Sequence, residues 1–129
     1  MPVLWMSWLL LQWKFTVDTA AVKAVDPGNI FKHLPDDLSD EVFETIVHSE
    51  QLKIERIVSS GHRSPDSGWY DQEQDEWVMV LKGEASILFE NKETISLRAG
   101  DYITIAAHNK HRVIKTSEVT ETVWLAIHY

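Results

Sequence analysis

The chain has 129 residues, which is enough for one domain with a single hydrophobic core. Its formal net charge of −8 argues against nucleic acid or an anionic membrane as the main partner, because both require a basic face. Cysteine is absent, which excludes disulfides, thiolate ligands and a cysteine nucleophile. We therefore expect a cytoplasmic protein that binds a small molecule, and any metal in it must have nitrogen and oxygen ligands.

Residues 1–15 differ in composition from the rest, since they hold three of the six tryptophans. The run is too short to span a bilayer as a helix, and it lacks the basic region that starts a signal peptide. Three interpretations stay open: an extension upstream of the natural start, an ordered arm packing on the domain or a partner chain, and an export or membrane-surface segment. The turn at Asp26-Pro27-Gly28 separates it from the remainder. The predicted organisation is thus an extension or arm over 1–28 and one domain over 29–129.

A short helix is predicted after this turn. Ser39 is a suitable N-cap, and Asp40 and Glu41 would lie in the first turn, where negative charge is favourable. The apolar residues that follow fall on one helical face, and they are Val42, Phe43, Ile46 and Val47. We expect this helix to cover one end or flank of a barrel.

From residue 52 the sequence alternates with a period of two, which is typical of strands. The predicted strands are Leu52 to Val58, Glu76 to Lys82, Glu84 to Glu90, Glu93 to Leu97, Tyr102 to Ala106, His111 to Lys115 and Thr122 to His128. Short strands without intervening helices predict an all-β sandwich or barrel. The polar loop over 59–75 is the longest connection, and it leads directly to Glu76. Long loops in small domains are often functional, so we expect this one to form part of a cavity rim.

Two segments resemble the paired motifs of the cupin superfamily. In the first motif a Glu is followed after six residues by Gly, as Glu76 and Gly83 are here. The second motif begins with Gly and reaches a His at the spacing of Gly100 and His111. The resemblance covers about residues 52–129 and implies a small, single-domain, RmlC-like cupin. Such a protein is a jelly-roll β-barrel and, in keeping with the family, a homodimer.

The two leading histidines of the first motif are missing. With the shorter motif spacing their places fall on Tyr70 and Gln72, and with the longer spacing on Trp69 and Asp71. A glutamine carbonyl is a weak oxygen ligand, and a phenol binds metal well mainly when deprotonated. The alternative interpretation is that the aromatic residues simply line a cavity.

His111 and Glu76 are the main site candidates. His111 could be a metal ligand or a general base, and Glu76, at the start of an apolar strand, needs a cation or donor if it points inward. His62, on the long loop, could add a nitrogen ligand if the loop folds over the cavity. We assign His33, His48 and His128 structural roles, because nothing around them in the sequence indicates a site.

Three functions remain open. The leading hypothesis, which the resemblance implies, is a divalent metal ion (Fe, Mn, Ni or Zn) held by Glu76 and His111 together with Gln72 or Tyr70, with or without His62. It implies dioxygenase, isomerase or decarboxylase-like chemistry. The second is metal-free acid–base catalysis, as in cupin-type epimerases, with His111 as base, Glu76 orienting it and Tyr70 as acid. The third is a binding module without catalysis.

Overall fold

The computed structural model describes residues 23–129, which are built from strands and loops. Within these residues eight strands follow one another: β1 Val42–His48, β2 Lys53–Ser59, β3 Glu76–Lys82, β4 Glu84–Phe89, β5 Thr94–Arg98, β6 Tyr102–Ile105, β7 His111–Thr116 and β8 Thr122–His128. The all-β prediction is confirmed, and β3 and β8 begin and end at the predicted residues. Most of the predicted N-terminal extension or arm, residues 1–22, lies outside the described residues.

The strands form two antiparallel sheets. The larger sheet has the order β1-β2-β8-β3-β6, and the smaller has the order β5-β4-β7. Gly83 connects β3 of the larger sheet to β4 of the smaller one with a φ of 85°, a conformation that favours glycine. The hydrophobic core is shared by both sheets, with Val78, Val80 and Trp124 from the larger sheet and Ile87 from the smaller. Each sheet therefore buries its apolar face against the other.

The predicted helix is wrong, because residues 42–48 form strand β1. This strand pairs antiparallel with β2, and a bulge interrupts the register between Thr45 and Val47. The bulge adds one residue, Ile46, to the strand and breaks the period-two alternation. As a result, Val42 and Phe43 stand four residues before Ile46 and Val47, a spacing that imitates one face of a helix.

The segment before β1 is held to the outer face of the larger sheet by one buried arginine. The Arg56 guanidinium donates hydrogen bonds to the carbonyl oxygens of Ile30, Lys32 and His33, and it also pairs with the Glu44 carboxylate. Because guanidinium donors are fixed in a planar fork, these bonds determine the path of the chain as it enters β1.

In residues 23–129 there is no helix long and apolar enough to cross a membrane.

Candidate functional site

A cavity opens at one end of the interface between the two sheets. Its apolar wall comes from the core, and its polar side chains come from the ends of β2, β3 and β8 and from the loop before β3. The centres of water molecules can move within about 70 Å³ of this cavity, which leaves space for several waters or a small organic group. The lining residues are Glu41, Phe43, Glu55, Ile57, Tyr70, Gln72, Glu76, Val78, Ile87, Ile105, Val113, Trp124 and His128.

Glu76 lines this cavity, and His111 approaches it from the opposite sheet, although His111 is not itself among the lining residues. Glu76 is the first residue of β3 in the larger sheet, and His111 is the first residue of β7 in the smaller sheet. The Oε2 atom of Glu76 lies 3.7 Å from Nε2 of His111, and both side chains are buried. This distance is longer than a hydrogen bond. It is still short enough for the two groups to interact electrostatically when His111 is charged.

The tautomer of a neutral His111 ring is set by the hydrogen bond of its other ring nitrogen. Nδ1 lies 2.8 Å from the carbonyl oxygen of Asn109, which can only accept a hydrogen bond. Nδ1 must therefore carry a proton, and when the ring is neutral Nε2 has its lone pair on the side of Glu76. The rings of Phe89 and Tyr70 pack around the imidazole with centroid distances of 5.9 and 5.8 Å. His111 is thus a buried imidazole whose orientation is fixed by its surroundings.

Tyr70 is fixed to His111 through the backbone. Its N–H donates to the His111 carbonyl at 2.8 Å, and the His111 N–H donates to the Tyr70 carbonyl at 3.2 Å, which makes an isolated antiparallel bridge. The Tyr70 ring lines the cavity and is partly exposed at its mouth. Gln72 also lines the cavity, and its backbone carbonyl accepts a hydrogen bond from the backbone N–H of His108. Both residues are therefore placed beside Glu76.

His62 lies elsewhere. Its Nδ1 accepts a hydrogen bond from the Ser60 N–H at 2.8 Å, and its Nε2 lies 3.1 Å from the Ser39 carbonyl. Both ring nitrogens are thus engaged with backbone groups, and His62 is not among the residues that line the cavity. In this arrangement it ties the long loop to the segment before β1.

Sequence reasoning missed a second carboxylate–imidazole pair in the same cavity. Nε2 of His128 lies 2.9 Å from Oε1 of Glu55, and both side chains are buried. Lys53 approaches the other Glu55 oxygen at 3.5 Å. The parity of β8 could have shown that His128 points inward, because it stands two and four residues from the inward-facing Ala126 and Trp124.

The third carboxylate of the lining, Glu41, has a partner of its own. The Ser59 hydroxyl donates a hydrogen bond to the Glu41 carboxylate. The Ser59 Oγ atom in turn accepts a hydrogen bond from Nε1 of Trp124 at 3.2 Å. This chain of bonds connects the edge of the cavity to the core.

The donor set does not fit a resident metal ion. Metal centres of the type implied by the motif resemblance use three or more protein ligands. Among residues 23–129, no group of three or more His, Asp or Glu side chains converges in a way that could hold an ion. Glu76 and His111 supply two donors, and the cavity residues nearby on the loop before β3, Tyr70 and Gln72, offer only a phenol and a carboxamide. What the site offers instead is two buried acid–imidazole pairs around a small cavity.

Comparisons with known proteins agree with this fold. The family model described as "Cupin domain" matches residues 57–128. No curated protein matches the chain. A solved structure from Ralstonia eutropha, named a "putative mannose-6-phosphate isomerase", is 44% identical over 81% of this chain and 97% of its own, with a TM-score of 0.77. An RmlC-like cupin protein from Desulfovibrio desulfuricans is 20% identical over 81% and 96%, with a TM-score of 0.65. A Streptococcus pyogenes protein of unknown function is 18% identical over 83% and 89%, with a TM-score of 0.64.

Proposed function

Since the chain belongs to the cupin family, we propose that it is a cupin enzyme that moves protons on a small polar organic molecule in the cavity, without a metal ion. The reaction would be of the isomerase or epimerase type. The observation that carries this proposal is the state of His111, whose Nδ1–H is fixed by a backbone carbonyl while Nε2 faces a buried carboxylate 3.7 Å away. An imidazole held in this way has one free lone pair directed at the place where a ligand would sit.

In the proposed mechanism, Nε2 of His111 removes a proton from the carbon next to a carbonyl group of the ligand. The electron pair of that C–H bond forms a C=C bond, and the carbonyl oxygen receives a proton from the Tyr70 phenol. Glu76 stabilises the imidazolium that forms, because opposite charges this close in a buried site attract strongly. In isomerisation, His111 returns its proton to the former carbonyl carbon, while the hydroxyl group on the adjacent carbon gives its proton to the Tyr70 phenolate and becomes the new carbonyl. In epimerisation, the enol returns its proton to Tyr70, the same carbon takes a proton from solvent on its opposite face, and His111 releases its proton to solvent.

The name of the similar protein from Ralstonia eutropha supports this reaction class. Interconversion of an aldose and a ketose is a proton transfer between adjacent carbon atoms, so a base and an acid on either side of the ligand suffice. That protein is 44% identical to this chain, and the alignment spans 97% of its length. We take only the isomerase class from it, because a substrate has to be argued from this cavity.

Deuterium exchange tests the proposal. Protein purified without a metal-affinity tag is treated with a chelator, its metal content is measured, and it is incubated in D₂O with a panel of small aldoses, hydroxy aldehydes and hydroxy ketones. We expect deuterium to enter at the carbon next to the carbonyl, and we expect His111→Gln to slow this by about 10²-fold or more. The control is Glu73→Gln, an exposed residue of the long loop.

Two results would contradict the proposal. Stoichiometric metal that is lost on replacement of Glu76 or His111, together with exchange that requires that metal, would restore the metal-centred hypothesis. Ligand binding without any exchange would show instead that the cavity only binds.

A further inference from the structure

We propose that the ligand of this cavity carries a positively charged amine group and is not phosphorylated. The inference rests on the proposed function only in taking this cavity as the ligand site. It depends on the charge of the lining, on the state of one carboxylate, and on the aromatic rings beside it.

The charged residues of the lining are acidic. Glu41, Glu55 and Glu76 contribute carboxylates, and no lysine or arginine is among the lining residues of the described chain. Two of these carboxylates already have partners within the protein. Glu41 accepts a hydrogen bond from Ser59, and Glu55 is bound to His128, with Lys53 nearby.

Glu76 is the carboxylate without such a partner. Only 7% of its surface is exposed, and within residues 23–129 it accepts no hydrogen bond that meets ordinary geometry. Its nearest polar neighbour is Nε2 of His111 at 3.7 Å, a separation too long for a hydrogen bond. A carboxylate that borders a small cavity and has no hydrogen-bond donor from the protein gains a partner when a cation enters that cavity.

The two carboxylate oxygens of Glu76 can interact separately with His111 and with a ligand. Oε2 faces His111, which leaves Oε1 for a ligand ammonium group. The aromatic lining suits the same ligand, because Phe43, Tyr70 and Trp124 border the cavity and a ring face attracts a cation. The space of about 70 Å³ matches a small head group.

A phosphate group does not suit this lining. Proteins bind phosphate with arginine, lysine or the N-terminus of a helix, and like charges brought together in a buried site repel each other. The lining residues include no arginine or lysine, and the described residues include no helix. The substrate in the name of the Ralstonia eutropha protein is therefore not the one we infer for this chain.

Matched pairs of probes test the inference. Ethanolamine and 1-propanol have nearly the same shape and differ in charge, as do choline and 3,3-dimethylbutan-1-ol. Each is titrated into the full chain and followed by heteronuclear NMR, alongside inorganic phosphate and mannose 6-phosphate. We expect at least one cation to bind roughly tenfold or more tightly than its neutral counterpart, with shifts of backbone amides around residues 76, 111 and 128. Glu76→Gln should remove that preference, and Glu73→Gln should keep it.

Each other outcome overturns the inference. Equal binding of charged and neutral probes, absence of binding by both cations, or binding of either phosphate compound at these amides would do so. So would a cation preference that survives Glu76→Gln.

Failure of the catalytic proposal would look different. Cations that bind to a protein without proton exchange would contradict catalysis and leave the ligand class intact. Proton exchange on neutral sugars without any preference for cations would support catalysis and contradict the cationic ligand class. His111→Gln separates the two further, because it should abolish exchange and retain cation binding.

Discussion

Glu76 and His128 are directly opposite partners in the antiparallel ladder between β3 and β8. His128 bonds to Glu55 on β2, and Glu76 lies beside His111 on β7. The two acid–imidazole pairs of the cavity are therefore joined through a single pair of facing residues. A change in the position of β8 relative to β3 would disturb both pairs together.

The Glu55–His128 pair should be strongly coupled. Because both side chains are buried, removal of one leaves the other without its partner, so we expect Glu55→Ala to lower the free energy of unfolding by about 3 kcal/mol. The double variant Glu55→Ala/His128→Ala should lose less than the sum of the single losses by about 1 kcal/mol or more. Urea denaturation of the four proteins measures this, with the exposed Glu93→Ala as a control that should stay within about 0.5 kcal/mol. Additive losses would contradict the coupling.

Glu76→Gln should have the opposite effect on stability. This residue is buried without a hydrogen-bonded partner, so a neutral amide of the same shape avoids the cost of the charge. We expect the free energy of unfolding to rise by about 1 kcal/mol at neutral pH, while the preference for a cationic ligand is lost and proton exchange is slowed. The comparison is Glu55→Gln, the same chemical change at a bonded carboxylate, which should destabilise the protein. A loss of stability in Glu76→Gln equal to that of Glu55→Gln would show that Glu76 is already satisfied in the folded state.

Gly83 should tolerate no side chain. Its φ is 85°, and an added Cβ would lie 2.5 Å from Oγ1 and 2.8 Å from Cα of Thr122. Gly100 offers a matched comparison, since its φ is 94° but a Cβ there would meet no atom within 4 Å. We expect Gly100→Ala to cost about 1 kcal/mol from backbone strain and Gly83→Ala to cost about 3 kcal/mol or more. Equal midpoints in chemical denaturation would show that Thr122 moves aside at little cost.

The outer face of the larger sheet should mediate a homodimer. Trp77 and the exposed Tyr102 stack there with a centroid distance of 5.4 Å, and Met79 and Leu125 lie on the same face. We expect sedimentation at micromolar concentration to give twice the 14.9 kDa mass of one chain. Tyr102→Glu should shift the protein toward monomer, because it introduces a charge into an apolar contact.

The matched control for assembly is Val119→Glu. Val119 is 97% exposed in the connection between β7 and β8, so the same charge there should leave assembly unchanged. A stable monomer of the unaltered chain at that concentration would contradict the dimer.

The strands from residue 53 onward could be predicted because each has one face in the core and alternates accordingly. Strand β1 could not, because its bulge removes that alternation and the bulge exists only through pairing with β2. Nothing local in the sequence distinguishes a bulged strand from a short helix when the apolar residues are paired as Val42-Phe43 and Ile46-Val47. The error is thus one of tertiary pairing.

The candidate site also contains residues that could be predicted from the sequence and residues that could not. Glu76 and His111 could be proposed from motif spacing, and the structure places them side by side, while their roles stay predictions. Glu55 and His128 belong to no motif and are 73 positions apart in the chain. Their contact follows from the register of β2 on β8, which a single sequence does not show.

The long loop before β3 is attached to β7 at several points. Ser64 and Val113 exchange two hydrogen bonds, Tyr70 and His111 form the bridge, and the Arg112 guanidinium packs 4.6 Å from the Trp69 ring centroid. A segment held in this way is a rigid wall of the cavity, unlike the hinged lids that close over many active sites. Ligand capture should then be governed by diffusion through the mouth beside Tyr70, with a single kinetic phase and no slow isomerisation step, so that affinity is determined by how fast the ligand leaves.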